Sequence, residues 1–217
     1  MRSYLRSRSF IEDVLTRDMT GRQWPKIGTR APVRIPTPHG DVFAQLAELP
    51  SGNVLVYTAG EPSDVPVVRF QSACVFGEGL RAKDCDCGVQ LDAAVKAICD
   101  SGGVMTYAWE EGRGAGIARK LDAIALQQEK GVNTGQAFEE LGMPIEPRDF
   151  DNHVIALRKV FDGFEVRFAS RNPAKIAALG RAGIGVSERI TLETEMTDER
   201  VGYLASKLPA LGHIDEP

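Results

Sequence analysis

The chain has 217 residues, of which 43% are hydrophobic and 26% are charged, and its formal net charge is −4. This length can bury one substantial core, and the acidic balance argues against a general nucleic-acid binder. The sequence shows no apolar run that could span a bilayer, and the basic start MRSYLRSRSF lacks the apolar stretch of a secretory signal. We therefore expect a cytoplasmic protein that binds neither nucleic acid nor membrane.

The first half of the chain has the pattern of a β region. Residues 1–31 lack clear periodicity and are predicted to form an N-terminal extension. Two strands are then predicted on either side of the Pro/Gly turn at 38–40. The runs NVLVYTAG and VPVVRFQSACVFG predict two more strands, so this half is expected to be largely antiparallel.

The second half alternates helix and strand patterns. GVQLDAAVKAICDSGG has helical periodicity and a glycine stop, and VMTYAW is a predicted strand followed by the loop EEGRGAG and a second helix. A third helix is predicted with Asn133 or Thr134 as its N-cap, then helix HVIALRKVF, strand FEVRFAS and a last helix from Pro173. This alternation predicts strand–helix layering, and thus a mixed α+β fold of the α/β class.

Three of the four cysteines lie close together. Cys74 is followed by ten residues and then by the C-x-C pair Cys85 and Cys87. Thiolates bind zinc at about 2.3 Å, and a catalytic zinc takes three protein ligands and leaves a fourth position for water. We predict a zinc site here in a reducing compartment; the alternative is that all four cysteines are core thiols. Cys99 is predicted to be a small buried hydrophobe on a helix.

Three further segments are candidate functional sites. EEGRGAG is either a phosphate-binding loop at a helix start or a plain turn, and IEPRDF gathers Glu146, Arg148 and Asp149 in a turn whose composition is typical of solvated surface. SRNPAK, with Ser170 and Lys175, is either a phosphate site or a capping turn. The three histidines have no ligand spacing to the cysteines and are interpreted as structural: His39, His153 and His213.

In this order the segments resemble the GTP cyclohydrolase II family, from about residue 33 to residue 214. The resemblance is carried by PTPHGDVF, the spacing of the three cysteines followed by GVQL, then EEGRGAG, PRDF, SRNPAK and the closing YLASK and GH. It implies a single catalytic domain over residues 32–217 and a homodimer. It also implies hydrolysis of GTP by attack of water at C8 of guanine, with Zn²⁺ on the thiolates and Mg²⁺ on the triphosphate.

The resemblance implies a role for individual residues. Arg148 matches an arginine proposed to receive the α-phosphate as pyrophosphate leaves. Glu146 stands where the family carries an aspartate assigned as general base, and Gln90 matches the glutamine that reads the nucleotide. The other positions matched to substrate binding are Arg69, Ser72, Glu111, Gly112, Arg113, Thr134, Ser170 and Lys175.

Several positions depart from the family pattern. Ile124 replaces a tyrosine assigned to the catalytic site, and isoleucine cannot donate a hydrogen bond. Gln71 and Ala73 replace a histidine and a glutamate. Trp109 and Glu110 replace the arginine and the glutamine that begin the family motif R-Q-E-G-R. These changes predict an enzyme with altered chemistry.

Four hypotheses about function remain open at this point. The enzyme opens the ring of GTP but keeps the formyl group, in a specialised pathway, or it takes a different purine nucleotide. Alternatively it carries out the standard reaction of riboflavin synthesis, releasing both formate and pyrophosphate. A non-catalytic regulatory protein that binds zinc and a nucleotide is the fourth.

Overall fold

The computed structural model describes residues 22–192, and within that range one sheet of seven strands organises the chain. The strands are β1 (Val33–Thr37), β2 (Gly40–Ala47), β3 (Val54–Ala59), β4 (Val67–Ser72), β5 (Gly103–Ala108), β6 (Glu165–Phe168) and β7 (Gly185–Arg189). The helices are α1 (Cys87–Ser101), α2 (Gly116–Lys130), α3 (Thr134–Glu140), α4 (Asp151–Leu157) and α5 (Pro173–Arg181), and a π-helical turn spans Val75–Gly79.

The sheet has an antiparallel half and a parallel half. The strand order is β1-β2-β3-β5-β4-β6-β7. The neighbouring pairs β1–β2, β2–β3 and β3–β5 are antiparallel. The expectation for the first half is confirmed for β1 to β3. β4 instead pairs in parallel with both β5 and β6, because α1 carries the chain back so that β5 runs in the same direction as β4.

Apolar residues fill both faces of this sheet. One cluster packs α4 and α5 against the face that carries Phe70 and Phe168. A second cluster packs α1, through Ala94 and Ile98, against the opposite face. Helices on both faces of a partly parallel sheet are the layering that the alternating second half predicts, and the mixed α/β fold is confirmed.

Most of the predicted elements are present at the predicted places. Of the two predicted N-caps of α3, Asn133 is the one that the structure shows, and it forms a capping box with Gln136. α1 ends at Gly102, where φ is +71° and a Cβ would lie 2.6 Å from the carbonyl oxygen of Glu61. β7 has no counterpart in the sequence prediction.

The described end of the predicted N-terminal extension lies against the sheet. Trp24 donates its indole N–H to the carbonyl of Gly60 at 3.0 Å, and the amide of Ile27 donates to Gln45 at 2.7 Å. Residues 1–21, the closing motifs YLASK and GH, and His213 lie outside the described residues, so the division at residue 31 stays a prediction. None of the described helices combines the length and apolarity needed to cross a membrane.

Candidate active site

The three clustered cysteines converge after β4. Cys74 follows the end of β4, while Cys85 and Cys87 lead into α1, and their Sγ atoms all lie within 4.8 Å of one another. The Sγ atoms of Cys74 and Cys85 are 3.5 Å apart. Sulfurs on a tetrahedral zinc at about 2.3 Å would be separated by roughly 3.8 Å. The donor set and its spacing therefore fit a zinc ion.

Two glycines permit this convergence. A Cβ on Gly77 in the π-helical turn would lie 2.7 Å from Cys85 Sγ, and one on Gly88 in α1 would lie 2.1 Å from the carbonyl oxygen of Gly77. The backbones of the turn and of the α1 N-terminus can approach this closely only because both residues lack a side chain. Gly88, which follows the C-x-C pair, is thus needed for the cysteines to converge.

The surroundings of the cluster favour a thiolate at Cys74. Hydrogen bonds from the other two cysteines, and from the Gly77 amide and Lys120, lower the pKa of Cys74 against the opposing effect of burial. The same sulfur contact raises the pKa of Cys85 to about 11. Lys120 Nζ lies 3.1 Å from Cys74 Sγ and 2.6 Å from Glu111. Among residues 22–192, no histidine, carboxylate or further cysteine joins the three sulfurs within the same distance.

Glu111 ties the glycine-rich loop to the cysteine cluster. One of its carboxylate oxygens binds Lys120, and the other accepts the amide of Val75 at 2.6 Å. The loop then turns through three consecutive residues with positive φ, Gly112, Arg113 and Gly114. Arg113 donates to the carbonyl of Ile145 at 2.9 Å. The loop therefore links the cysteine cluster to the segment that carries Glu146 and Arg148.

Arg148 and Glu146 form a geometrically defined ion pair. Two hydrogen bonds of 2.6 Å join the guanidinium to the two carboxylate oxygens, and Asn172 donates to Glu146 at 3.2 Å. Burial alone would raise the pKa of Glu146, but these donors and the charge of Arg148 bring it below its ordinary value. The composition of the IEPRDF segment is typical of solvated surface, but in the structure its Glu146 and Arg148 form a half-buried ion pair.

Two buried cations lie behind the site, on β4 and α5. Arg69 donates to the carbonyl of Ala169 at 2.7 Å and to Gln90 at 2.8 Å. Lys175 donates to the carbonyl of Phe70 at 2.7 Å, and burial lowers its pKa well below the ordinary value. Ser170 is also buried, and its hydroxyl accepts the amide of Asn172.

A chain of hydrogen bonds crosses the sheet beside these cations. Ser72 donates to Glu110 at 2.6 Å, Glu110 lies 3.4 Å from His153 Nε2, and His153 Nδ1 lies 2.8 Å from the Thr106 hydroxyl. His153 is completely buried and stacks on Phe70 at 5.0 Å. Burial lowers the pKa of His153, which is consistent with its structural interpretation.

Comparison with known proteins connects this geometry to one family. A family model described as GTP cyclohydrolase II matches residues 29–191. A protein of Pectobacterium atrosepticum named GTP cyclohydrolase-2 is 38% identical over 191 residues, covering 85% of this chain and 95% of that protein. The chain belongs to the GTP cyclohydrolase II family. It is a hydrolase of that family.

Two other relatives extend the comparison. A Neisseria meningitidis protein named GTP cyclohydrolase-2 is 38% identical over 189 residues, covering 85% of this chain and 94% of that protein. A Staphylococcus epidermidis protein named riboflavin biosynthesis protein RibBA is 35% identical over 191 residues, covering 87% of this chain and 48% of that protein. The chain thus spans about half the length of RibBA.

Most of the matched GTP cyclohydrolase II residues form one connected region in this chain. Hydrogen bonds link the converging cysteines through Lys120 to Glu111, and the loop through Arg113 to the turn before Glu146. Thr134 is joined to this region through α2, where its hydroxyl donates to Gln127 at 3.1 Å. Ile124 lies one helical turn after Lys120 and one turn before Gln127, so the three share one face of α2.

The structure also brings into the site two residues, Glu78 and Lys120, that were not among the predicted site residues. Glu78 accepts hydrogen bonds from Gln71 at 2.7 Å and from the Tyr107 hydroxyl at 2.6 Å. Lys120, in the first turns of α2, contacts the thiol of Cys74 at 3.1 Å. The sequence does contain a signal for Lys120, which lies nine residues after Glu111. A helix that starts between these two residues can place both side chains beside the same loop.

Proposed function

We propose that this GTP cyclohydrolase II family member is a zinc-dependent hydrolase that opens the imidazole ring of GTP at C8 and releases pyrophosphate. The observation that carries the proposal is the convergence of three thiols within 4.8 Å beside the loop of Glu111 and Lys120. Cys74, Cys85 and Cys87 would hold the zinc ion. Zinc, when bound, supplies Lewis acidity that makes water a nucleophile at neutral pH.

Glu146 is the proton acceptor in this proposal. Its lowered pKa keeps it ionised at neutral pH, and its two oxygens are oriented by Arg148 and Asn172. A carboxylate has about four acceptor positions, and Glu146 accepts four hydrogen bonds here, three from Arg148 and one from Asn172. Release of the longest of these, the 3.4 Å contact from the Arg148 amide, would free a position for a proton from the reacting water. Glutamate replaces the family aspartate here, and the bidentate contact to Arg148 fixes the position of the longer side chain.

Arg148 and the buried cations provide the phosphate-binding side. Arg148 uses two of its five N–H donors on Glu146, so the guanidinium can also bind the α-phosphate. Lys175 has a depressed pKa because burial disfavours its charge. A phosphate nearby would offset this effect of burial and stabilise the ammonium form.

We further propose that the reaction stops after ring opening, with the formyl group retained. Release of formate requires a second hydrolysis at the same carbon. Ile124 shares a face of α2 with Lys120, which contacts Cys74. This isoleucine offers no donor or acceptor for proton transfer, whereas the family tyrosine has a hydroxyl. The product would be a formamidopyrimidine nucleotide, which serves a pathway other than riboflavin synthesis.

Mass spectrometry of the zinc-loaded protein with GTP and Mg²⁺ tests both levels of the proposal. We expect a product that has gained water, lost pyrophosphate and kept the formyl carbon. Ile124→Tyr should then release formate as well. Ile155→Tyr is the matched control, since Ile155 is exposed on α4, and it should leave the product of the parent protein unchanged.

The other outcomes separate the alternatives. Formate released by the parent protein would contradict formyl retention and assign the standard reaction named by the relatives. GTP left intact would contradict both GTP reactions, and a panel of purine nucleotides would then distinguish an altered substrate from nucleotide binding alone. The role of Mg²⁺ and the homodimer remain predictions from the resemblance, and the cytoplasmic location remains a prediction from the sequence pattern.

A further inference from the structure

An acidic cleft opens beside the cysteine cluster. It has a volume of about 480 Å³, within the range of small-molecule sites, and is lined by Ala73, Val75, Glu78, Gly79, Tyr107, Trp109 and Glu111. Ala73 and Val75 flank Cys74 in sequence, so the cleft adjoins the metal-binding thiols. The lining contains two carboxylates and no lysine or arginine.

This charge pattern selects the part of a nucleotide that the cleft can accept. Glu111 is paired with Lys120 at 2.6 Å, so Glu78 supplies the negative charge of the lining, and a carboxylate there repels a phosphate. The cations Arg69, Arg148 and Lys175 do not line the cleft. A carboxylate is an acceptor and therefore pairs with N–H donors. The Watson–Crick edge of guanine carries such donors at N1 and at the 2-amino group, and a carboxylate can accept from both.

Glu78 is oriented for that role. Gln71 and Tyr107 each donate to one of its oxygens, which fixes the carboxylate while leaving acceptor capacity on both oxygens. Burial and the hydrogen bond to Glu78 raise the pKa of Tyr107, so its hydroxyl remains a donor at neutral pH. Gln71, which replaces the family histidine, thus has a defined function in holding Glu78.

Trp109 supplies an aromatic surface at the same cleft. Its side chain is exposed, with 61% of its surface accessible, and its ring meets Tyr107 edge-on at 5.9 Å. Because most of the Trp109 side chain is exposed despite this contact, the indole offers aromatic surface on which a planar base can stack. Ala73, where the family carries a glutamate, removes a charged side chain from the lining.

We propose that this cleft is the purine-base subsite of the enzyme, in which the base stacks on Trp109 and Glu78 accepts hydrogen bonds from the guanine edge. The inference rests on the proposed GTP hydrolysis and deepens it by naming the residues that select the base. In this arrangement the base lies beside the cysteine cluster that adjoins the cleft.

Equilibrium binding to the full-length, zinc-loaded protein tests the subsite without relying on turnover. The chain has two tryptophans, and GTP binding should quench the fluorescence of the parent protein but leave that of Trp109→Phe almost unchanged. The parent should prefer GTP over ITP, which lacks the 2-amino group, by about tenfold or more. Glu78→Gln should reduce that preference to about twofold, because an amide has one acceptor oxygen instead of a carboxylate pair.

The controls keep this inference separate from the proposed function. Glu165→Gln, an exposed change on β6, should retain the quenching and the GTP preference of the parent. GTP hydrolysis by the parent, combined with unchanged base preference in Glu78→Gln and unchanged quenching in Trp109→Phe, would overturn the subsite and leave the function standing. Binding that depends on both residues, with no hydrolysis by the parent, would support the subsite and overturn the function.

Discussion

Cys85 and Cys99 allow a direct test of the metal site at the level of single atoms. Cys85 is one of the three converging thiols, whereas Cys99 lies on α1 and packs against the apolar cluster on that face. Cys85→Ser should lower bound zinc from about one ion per chain to nearly none, because two thiolates make a poor site. Cys99→Ser is the control and should keep its zinc. Equal metal content in both variants, measured by atomic emission, would contradict the assignment.

Glu110 adds a charge where the family pattern has a glutamine, and this charge has a predicted pH signature. Burial would raise its pKa, but hydrogen bonds from His153 and Ser72 and the charge of Arg148 bring it from 4.5 to about 2. A carboxyl with a depressed folded-state pKa stabilises the protein above the unfolded value and loses that effect as the pH falls. The stabilisation should therefore be complete above about pH 4.5 and vanish towards pH 2.

Glu110→Gln isolates this contribution. Thermal unfolding of the parent and the variant should differ most above about pH 4.5, with the parent more stable, and the two curves should converge towards pH 2. Glu165→Gln, at an exposed position, should follow the parent throughout. A gap between parent and Glu110→Gln that does not change with pH would show that the Glu110 carboxylate does not titrate as described.

At the level of elements, α3 depends on its N-terminal cap. The helix has seven residues, which is too short to form on propensity alone. Asn133 accepts the amide of Gln136, and the Gln136 side chain accepts the amide of Asn133. Asn133→Ala should lower the free energy of unfolding by about 1 kcal/mol, measured by urea denaturation. Gln128→Ala, exposed within α2, should change it far less.

The elements could be predicted from sequence where the signal was local. The α1 pattern, the Gly102 stop and the Asn133 cap depend on residues within one or two turns. β7 was missed because GVSER is short, mostly exposed and poor in apolar residues, so its strand state depends on pairing with β6. The parallel placement of β4 also depends on distant strands, and no local pattern encodes it.

At the level of the whole molecule, the site depends on contacts between residues far apart in sequence. Spacing alone predicted that the three cysteines form one cluster, because they lie within fourteen residues. Ser72 and Glu110 are 38 positions apart, and Glu110 and His153 are 43 apart. Folding of the sheet brings these residues together, so their chain of hydrogen bonds could not be predicted from the motifs that contain them.

The same separation between core and site predicts how the whole molecule responds to metal removal. The apolar clusters on the two sheet faces contain none of the three converging cysteines, among the residues that the structure describes. Chelation should therefore abolish GTP turnover while most of the far-UV circular dichroism remains, and added zinc should restore activity. A closed structural zinc site would behave differently, because its binding free energy is folding free energy. Cooperative loss of secondary structure on chelation would thus contradict the catalytic assignment and indicate a zinc-stabilised scaffold.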